Sequence, residues 1–263
     1  MSEVKQITIV SGKGGTGKTT IAGALIRLSN AKRFADCDVD APNLHLSVSV
    51  PPEKAEEDYC GLPKARIDDG ECDRCGLCMS LCRFHAISRS EDGRYHIDPA
   101  ACEGCALCEG ACESRAISMQ QAITGRLITH RGDGRFFSTA SLRMGSGNSG
   151  KLVAAVKKKL AEQEPSSCFA VLDGSPGIGC PVIASVSGVD LVLIVAEPTL
   201  SGVSDMERVL RTAYQLGVKC AVCVNKSDVN EHIANEIEAA IRETLQPDSA
   251  RTEGEDEGNT SED

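Results

Sequence analysis

The sequence predicts an α/β fold, a mostly parallel and doubly wound sheet that carries a small inserted α+β module. Three observations support this. Residues 7–10 form a short apolar strand that runs straight into a glycine-rich loop and then an apolar helical pattern (Ile21, Ala24, Leu25, Leu28). Apolar strand-like runs recur at 168–172, 191–196 and 220–224, with a helical pattern over 202–216 between the last two. Between the first strand and these later ones, a cysteine-rich stretch superimposes on itself at an offset of 30 residues.

The composition bounds the function. The chain has 263 residues, 41% of them hydrophobic, enough for a substantial core. Formal net charge is −10, and residues 248–263 supply −6 of it with seven acids against Arg251. The body is therefore nearly neutral, which argues against a sequence-independent nucleic-acid binder. Aromatic residues make up 3% with no Trp, too few for a base-stacking platform. No apolar run approaches the ~20 residues of a membrane span, and the first ten residues read as a strand, so a cytoplasmic location is expected. Fourteen cysteines then point to metal or redox chemistry.

Gly12-Lys13-Gly14-Gly15-Thr16-Gly17-Lys18-Thr19-Thr20 satisfies G-x4-G-K-[ST] in a strand–loop–helix context. Its glycines let backbone N–H groups surround phosphates, and the helix N-terminus adds positive field. Lys18 is placed to reach the β- and γ-phosphates and Thr19 to bind Mg²⁺, which makes ATP with Mg²⁺ the expected ligand. A carboxylate at a strand's C-terminal end can hold the same ion through water, and Asp173 follows the run 168–172.

In the repeat, Ile67, Asp68, Cys72, Cys75, Cys78, Cys82, Ala86, Ile87 and Ser88 recur as Ile97, Asp98, Cys102, Cys105, Cys108, Cys112, Ala116, Ile117 and Ser118. Each copy is a C-x2-C-x2-C-x3-C run, in which three thiolates on one loop reach one cubane and the fourth reaches the other. Cys72, Cys75, Cys78 and Cys112 are thus expected to hold one [4Fe–4S] cluster. Cys102, Cys105, Cys108 and Cys82 are expected to hold the second. Two structural zinc sites are the alternative, although zinc ligands normally come as separated CxxC pairs. Asp92-Gly93, inside an alternating run, signals a hairpin joining the two halves. Over about residues 60–118 the stretch resembles bacterial two-cluster ferredoxins, with Arg83 and Glu113 standing where those have proline after the fourth cysteine.

The form KGGTGKTT resembles the deviant phosphate loop of the MinD/ParA-type ATPases, which include Mrp-type cluster carriers and the nitrogenase iron protein. The resemblance implies an ATPase in which two chains sandwich two ATPs and Lys13 acts on the partner's nucleotide. Asp36–Leu44 resembles the family's switch I, with Asp38 orienting the attacking water. Asp173-Gly174-Ser175-Pro176-Gly177 resembles Walker B plus switch II, and Asn225 stands where the family's asparagine reads the adenine edge. Cys180, in Gly179-Cys180-Pro181-Val182, has the spacing of a switch II cysteine that binds a shared cluster in the nitrogenase iron protein. That protein's second ligand is absent here, where the similar segment reads Gly147-Asn148-Ser149-Gly150. A labile interfacial cluster or metal at Cys180 and a plain buried thiol therefore both stay open.

The expected organisation is a discontinuous ATPase domain (1–48 and 119–246), a linker with an inserted ferredoxin-like module (49–118, with 49–66 as the linker), and a disordered acidic tail (247–263). An Asp133-Gly134 hairpin and the glycine-rich stretch 145–150 lead the chain back. Cys220 and Cys223 are expected in the core, Cys37, Cys60 and Cys168 in core or loops, and Lys157-Lys158-Lys159 on a solvated face of a helix over 149–163. The acidic C-terminal helix expected at 231–245 would be repelled by anionic lipid, so no membrane role is expected. The whole resembles the ATPases associated with the orange protein complex of anaerobic bacteria. It implies an ATP-hydrolysing homodimer, or a heterodimer with a paralogue, that assembles or delivers an iron–sulfur or mixed-metal cluster to a recipient metalloprotein or redox partner. An ATP-gated electron donor and a non-catalytic ferredoxin-type carrier or scaffold are the alternatives.

Overall fold

The computed structural model describes residues 5–163 and 169–244. Its centre is an eight-stranded sheet in which β1 (Lys5–Ser11) lies between β10 (Phe169–Pro176) and β11 (Leu191–Ala196), all parallel. β12 (Lys219–Val224) extends the parallel part beyond β11. On the other side β2 (Arg33–Asp36) and β9 (Arg135–Leu142) follow, still parallel. Two antiparallel strands, β8 (Ile123–Gly132) and β3 (Glu53–Cys60), close that edge. The mostly parallel sheet read from the sequence is thus present, with an antiparallel margin.

Alternation along β1 shows why a helix packs on each face. Ile9 joins Ala22 and Ile26 of α1 (Lys18–Leu28), Phe34 and Val171, whereas Val10 joins Val182, Met206, Val209 and Ile237. Those come from α6 (Cys180–Val186), α7 (Leu200–Gln215) and α8 (Glu231–Thr244). A third cluster packs Leu152, Val153, Val156 and Leu160 of α5 (Ser149–Ala161) over Ala35, Leu127 and Leu172.

The segment 49–66 is not a linker. Its residues 53–60 are β3, paired along its length with β8. The acidic run Glu56-Glu57-Asp58 suits an exposed edge strand, because charges there discourage pairing with another chain. The β8–β9 hairpin turns at Asp133 (φ 53°) and Gly134 (φ 66°), both left-handed as a tight two-residue turn requires.

The inserted unit runs from β4 (Lys64–Ile67) through α3 (Leu77–Leu81), β5 (Ile87–Arg89), β6 (Tyr95–Ile97) and α4 (Leu107–Gly110) to β7 (Ile117–Gln120). Its halves are related by a pseudo-twofold: β4 pairs with β7 and β5 with β6, both antiparallel. Asp68 N–H donates to Ala116 O and Asp98 N–H to Ala86 O, each at 2.8 Å. The left-handed residues also recur in register, Arg74, Gly76 and His85 matching Gly104, Ala106 and Arg115. The Asp92-Gly93 turn joins β5 to β6, with Gly93 at φ 85°. Among the described residues no helix is long and apolar enough to cross a membrane. The acidic tail and Cys168 lie outside the described residues.

Candidate functional site

The C-terminal ends of β1, β10 and β2 deliver the chemistry to one place. β1 ends at Ser11, whose hydroxyl donates to Lys13 O at 2.8 Å and shapes the start of the glycine-rich loop. Gly17 (φ 93°) turns that loop into α1. A Cβ on Gly12 would run into Asp205 of α7, so only glycine fits where the loop backs onto that helix.

Lys18 opens α1 and is buried; its ammonium meets Asp173 Oδ1 at 2.6 Å and Thr19 Oγ1 at 3.4 Å. Asp173 is fully buried, and its Oδ2 has no hydrogen-bond partner among the described residues. Thr16 Oγ1, inside the loop, is buried and without a partner in the same way. Orphaned oxygens next to a buried lysine are costly unless a ligand completes them. Asp173 and Thr19 offer the hard oxygen donors that Mg²⁺ takes, so these residues fit the ion.

Asp36, in register with Asp173 on the neighbouring strand, is the functional residue that sequence reasoning passed over. Its Oδ1 accepts from Asp38 N–H at 3.0 Å, and its Oδ2 accepts from Asn43 and Leu44 N–H at 2.8 and 2.9 Å. It thereby ties down the loop that carries Asp38 and the start of α2 (Leu44–Ser47). Burial, then the negative charge of Asp173, push the Asp36 carboxyl up to about 7, and the backbone donors only partly offset this. Burial likewise raises Asp38, which is half-buried beside the same lysine. The signal in the sequence was the first acid of Asp36-Cys37-Asp38, at a strand end.

Two candidate residues make contacts within their own chain. Lys13 does not reach outward: within its own chain it pairs with Glu197 Oε2 at 3.0 Å and donates to Thr199 and Ser201 hydroxyls at 3.2 and 3.3 Å. Lys226 holds the other Glu197 oxygen at 2.8 Å and donates to Gly15 O at 2.9 Å. These two lysines, Lys226 foremost, hold the Glu197 carboxyl below its usual range. Asn225 donates from Nδ2 to Thr16 O at 2.7 Å, gripping the loop backbone. Gly14, Gly15 and Thr20 are exposed.

Four cysteines of the inserted unit line one open pocket. Cys72, Cys75, Cys78 and Cys112 line it, together with Ile67, Leu77, Tyr95 and Ile117. Three of these thiols come from the first repeat and the fourth from the second. Burial raises the Cys78 thiol, and its neighbours Cys72, Cys75 and Cys112 act in the same sense. The other set is less open. Cys102 is buried, Cys82 and Cys108 pack against the same small core, and Cys105 is exposed. Among the described residues no three Cys, His, Asp or Glu side chains converge on a point as one metal ion needs.

Residues 7–251 match the family described as the CobQ/CobB/MinD/ParA nucleotide binding domain. The chain belongs to that family. It is 37% identical over 232 residues to the uncharacterized protein MJ0578 of Methanocaldococcus jannaschii, covering 86% of this chain and 80% of that one. A second protein of that organism, MJ0579, is 26% identical over 235 residues, covering 88% and 83%. Among solved structures, the septum site-determining protein MinD of Pyrococcus horikoshii with Mg-ADP superimposes with a TM-score of 0.48 at 17% identity, covering 89% of this chain and 77% of that one. Family membership makes the chain an ATP-binding ATPase of the MinD/ParA type, with Lys18 and Thr19 where the glycine-rich loop enters α1 and Asp173 facing Lys18 from β10.

Other cysteines and lysines of this MinD/ParA-type chain complete the picture. Cys180 is exposed at the start of α6, so a buried thiol is ruled out there. Cys37 is fully buried, and burial pushes its thiol up to about 12. Cys60 is exposed at the end of β3. Cys220 and Cys223 are only half-buried, since β12 is an edge strand with a helix over part of it. Lys157 departs from its expected solvated face: its ammonium caps α6 by donating to Ala184, Ser185 and Ser187 carbonyls at 3.0, 3.0 and 2.6 Å. Lys158 and Lys159 do pair at the surface, with Glu162 and Glu57.

Proposed function

We propose that this ATPase is an iron–sulfur protein that uses ATP to assemble or deliver an iron–sulfur or mixed-metal cluster to a partner protein. The single observation that carries this is the cavity bounded by Cys72, Cys75, Cys78 and Cys112, drawn from both repeats. Thiolates arranged around a space are the donor set for a [4Fe–4S] cluster, which would supply one-electron redox capacity. The pseudo-twofold gives Cys102, Cys105, Cys108 and Cys82 the equivalent role.

At the nucleotide site the chain's own residues act in a set order. In the free protein Lys18 is held by Asp173. Phosphate oxygens of ATP compete for that ammonium, and Asp173 is then free to turn towards Mg²⁺ with Thr19. Held by Asp173 and Thr19, Mg²⁺ would neutralise charge on the phosphates. Asp38, held through Asp36, orients the attacking water. Lys13 leaves Glu197 and acts across a dimer with a second copy or a paralogue.

ATP-gated electron donation is the second reading, and one observation favours it. The loop segment that packs against Cys180 holds no cysteine, so that segment supplies no second thiol for a cargo site. Iron and acid-labile sulfide, measured after anaerobic purification, separate the readings. About eight iron per chain is expected, and Cys112→Ser should remove about four by breaking the first set although it lies in the second repeat. Cargo transfer expects about two further iron per chain in the dimer, lost in Cys180→Ala with ATPase activity kept. Near-zero iron with bound zinc overturns both readings.

A further inference from the structure

A chain of close contacts runs from the nucleotide site to one of the two cysteine sets. β10 carries Asp173 and continues through Pro176 and a short turn to Cys180, the first residue of α6. Gly150, in the first turn of α5, lies flat against that residue. A Cβ there would stand 3.1 Å from the Cys180 carbonyl oxygen and 3.2 Å from its Cβ. The loop before α5 then presses on the inserted unit. A Cβ on Gly147 would stand 3.1 Å from the Glu103 carboxylate, and one on Gly145 would stand 3.3 Å from Cβ of Ala100.

Ala100 and Glu103 flank Cys102, the buried first cysteine of the second loop, whose carbonyl also accepts from the Lys64 ammonium on β4. The first loop makes local contacts instead. Tyr95 stands over Gly76, Arg94 pairs with Asp69, and the cavity at Cys72, Cys75 and Cys78 is lined by residues of the inserted unit. Sequence order had placed the inserted unit next to switch I; the contacts on the second loop come from the segment before α5.

We propose that residues 143–150 relay the nucleotide state of the switch II segment to the second cysteine set (Cys82, Cys102, Cys105, Cys108) and leave the first set (Cys72, Cys75, Cys78, Cys112) outside that link. Glycine at each contact matters. On the loop side each contact is bare backbone, and across from it stand the Cys180 backbone, the Ala100 Cβ and the Glu103 carboxylate, so a shift at Cys180 meets closely packed neighbours along the whole path. Gly145 (φ 74°), Gly147 (φ 56°) and Asn148 (φ 63°) give the loop the left-handed turns that bring it against both neighbours. The assignment rests on the reading that both sets hold clusters, and it makes the second the nucleotide-coupled one.

Amide hydrogen exchange on the anaerobically purified protein, with MgATP or MgADP, tests this. Peptides covering 100–106 should differ between the two nucleotides by about fivefold or more in exchange rate, while those covering 70–78 stay unchanged. Gly147→Ala and Glu103→Ala alter the contact from opposite sides, and both should abolish the difference while ATP is still hydrolysed. Glu103→Ala introduces no backbone strain, so a folding defect in Gly147→Ala does not leave the result ambiguous. Equal changes in both loops, no change in either during turnover, or a difference that survives both variants overturns the proposal. Iron is counted on the same sample. Its absence removes the cluster reading but leaves the exchange comparison legible, so the two failures are distinct.

Discussion

Lys18 lies buried where the glycine-rich loop enters α1, and its position has a cost. A buried ammonium and a fully buried carboxylate neutralise each other at 2.6 Å in the free protein. Removing one partner strands the other, so Lys18→Met should cost about 3–5 kcal/mol in urea unfolding, and the double change with Asp173→Leu should recover much of it. ATPase activity should fall about 100-fold or more in the single variant, since a preorganised cation on the phosphates is gone. Asp36 makes a separate prediction. Folded, it holds its proton up to about pH 7, against an ordinary value of 3.8. Between those limits the native state binds more protons than the unfolded chain, so this group's contribution to stability falls as pH rises. In metal-free protein, thermal unfolding from pH 4 to 7 should show a shallower decline in Asp36→Asn than in the parent.

At the scale of elements, local signals were strong where the chain punctuates itself. The hairpins at Asp92-Gly93 and Asp133-Gly134, the strand before the glycine-rich loop, and helices at 149–161, 200–215 and 231–244 were all readable. β3 was not, because an edge strand facing water on both sides carries charge and shows no apolar alternation. Lys157 was misjudged for a related reason. A run of three lysines looks solvated, and only the packing of α5 on α6 brings one of them over the α6 C-terminus, where a cation is favourable. α7 offers a test at this scale. Thr199 Oγ1 caps it by accepting from Gly202 N–H at 3.0 Å, so Thr199→Ala should destabilise the fold by about 1 kcal/mol in a denaturant titration.

For the whole molecule, the Lys13–Glu197 pair bears on the proposed dimer. The proposed dimer needs Lys13 to exchange Glu197, Thr199 and Ser201 for the partner's nucleotide, and breaking those contacts opposes closure. Glu197→Gln weakens the hold on Lys13. ATP-dependent dimerisation, followed by sedimentation, should then occur at lower protein concentration than in the parent. An unchanged or raised concentration would show that the pair does not restrain assembly.

By itself the sequence determined the chemistry that lies in contiguous motifs: the phosphate loop, Asp173 at a strand end, and two cysteine runs. Spacing along a chain fixes which side chains share one short loop or one helical turn, so such sites are legible without coordinates. Tertiary structure alone decided what depends on elements far apart in sequence. It set Asp36 beside Asp173 through strand register, turned Lys13 back onto Glu197, and drew β3 into the sheet. It also brought the glycines before α5 between Cys180 and Glu103. Those placements follow from which hydrophobic faces pack together, a property of the folded whole that no local pattern encodes.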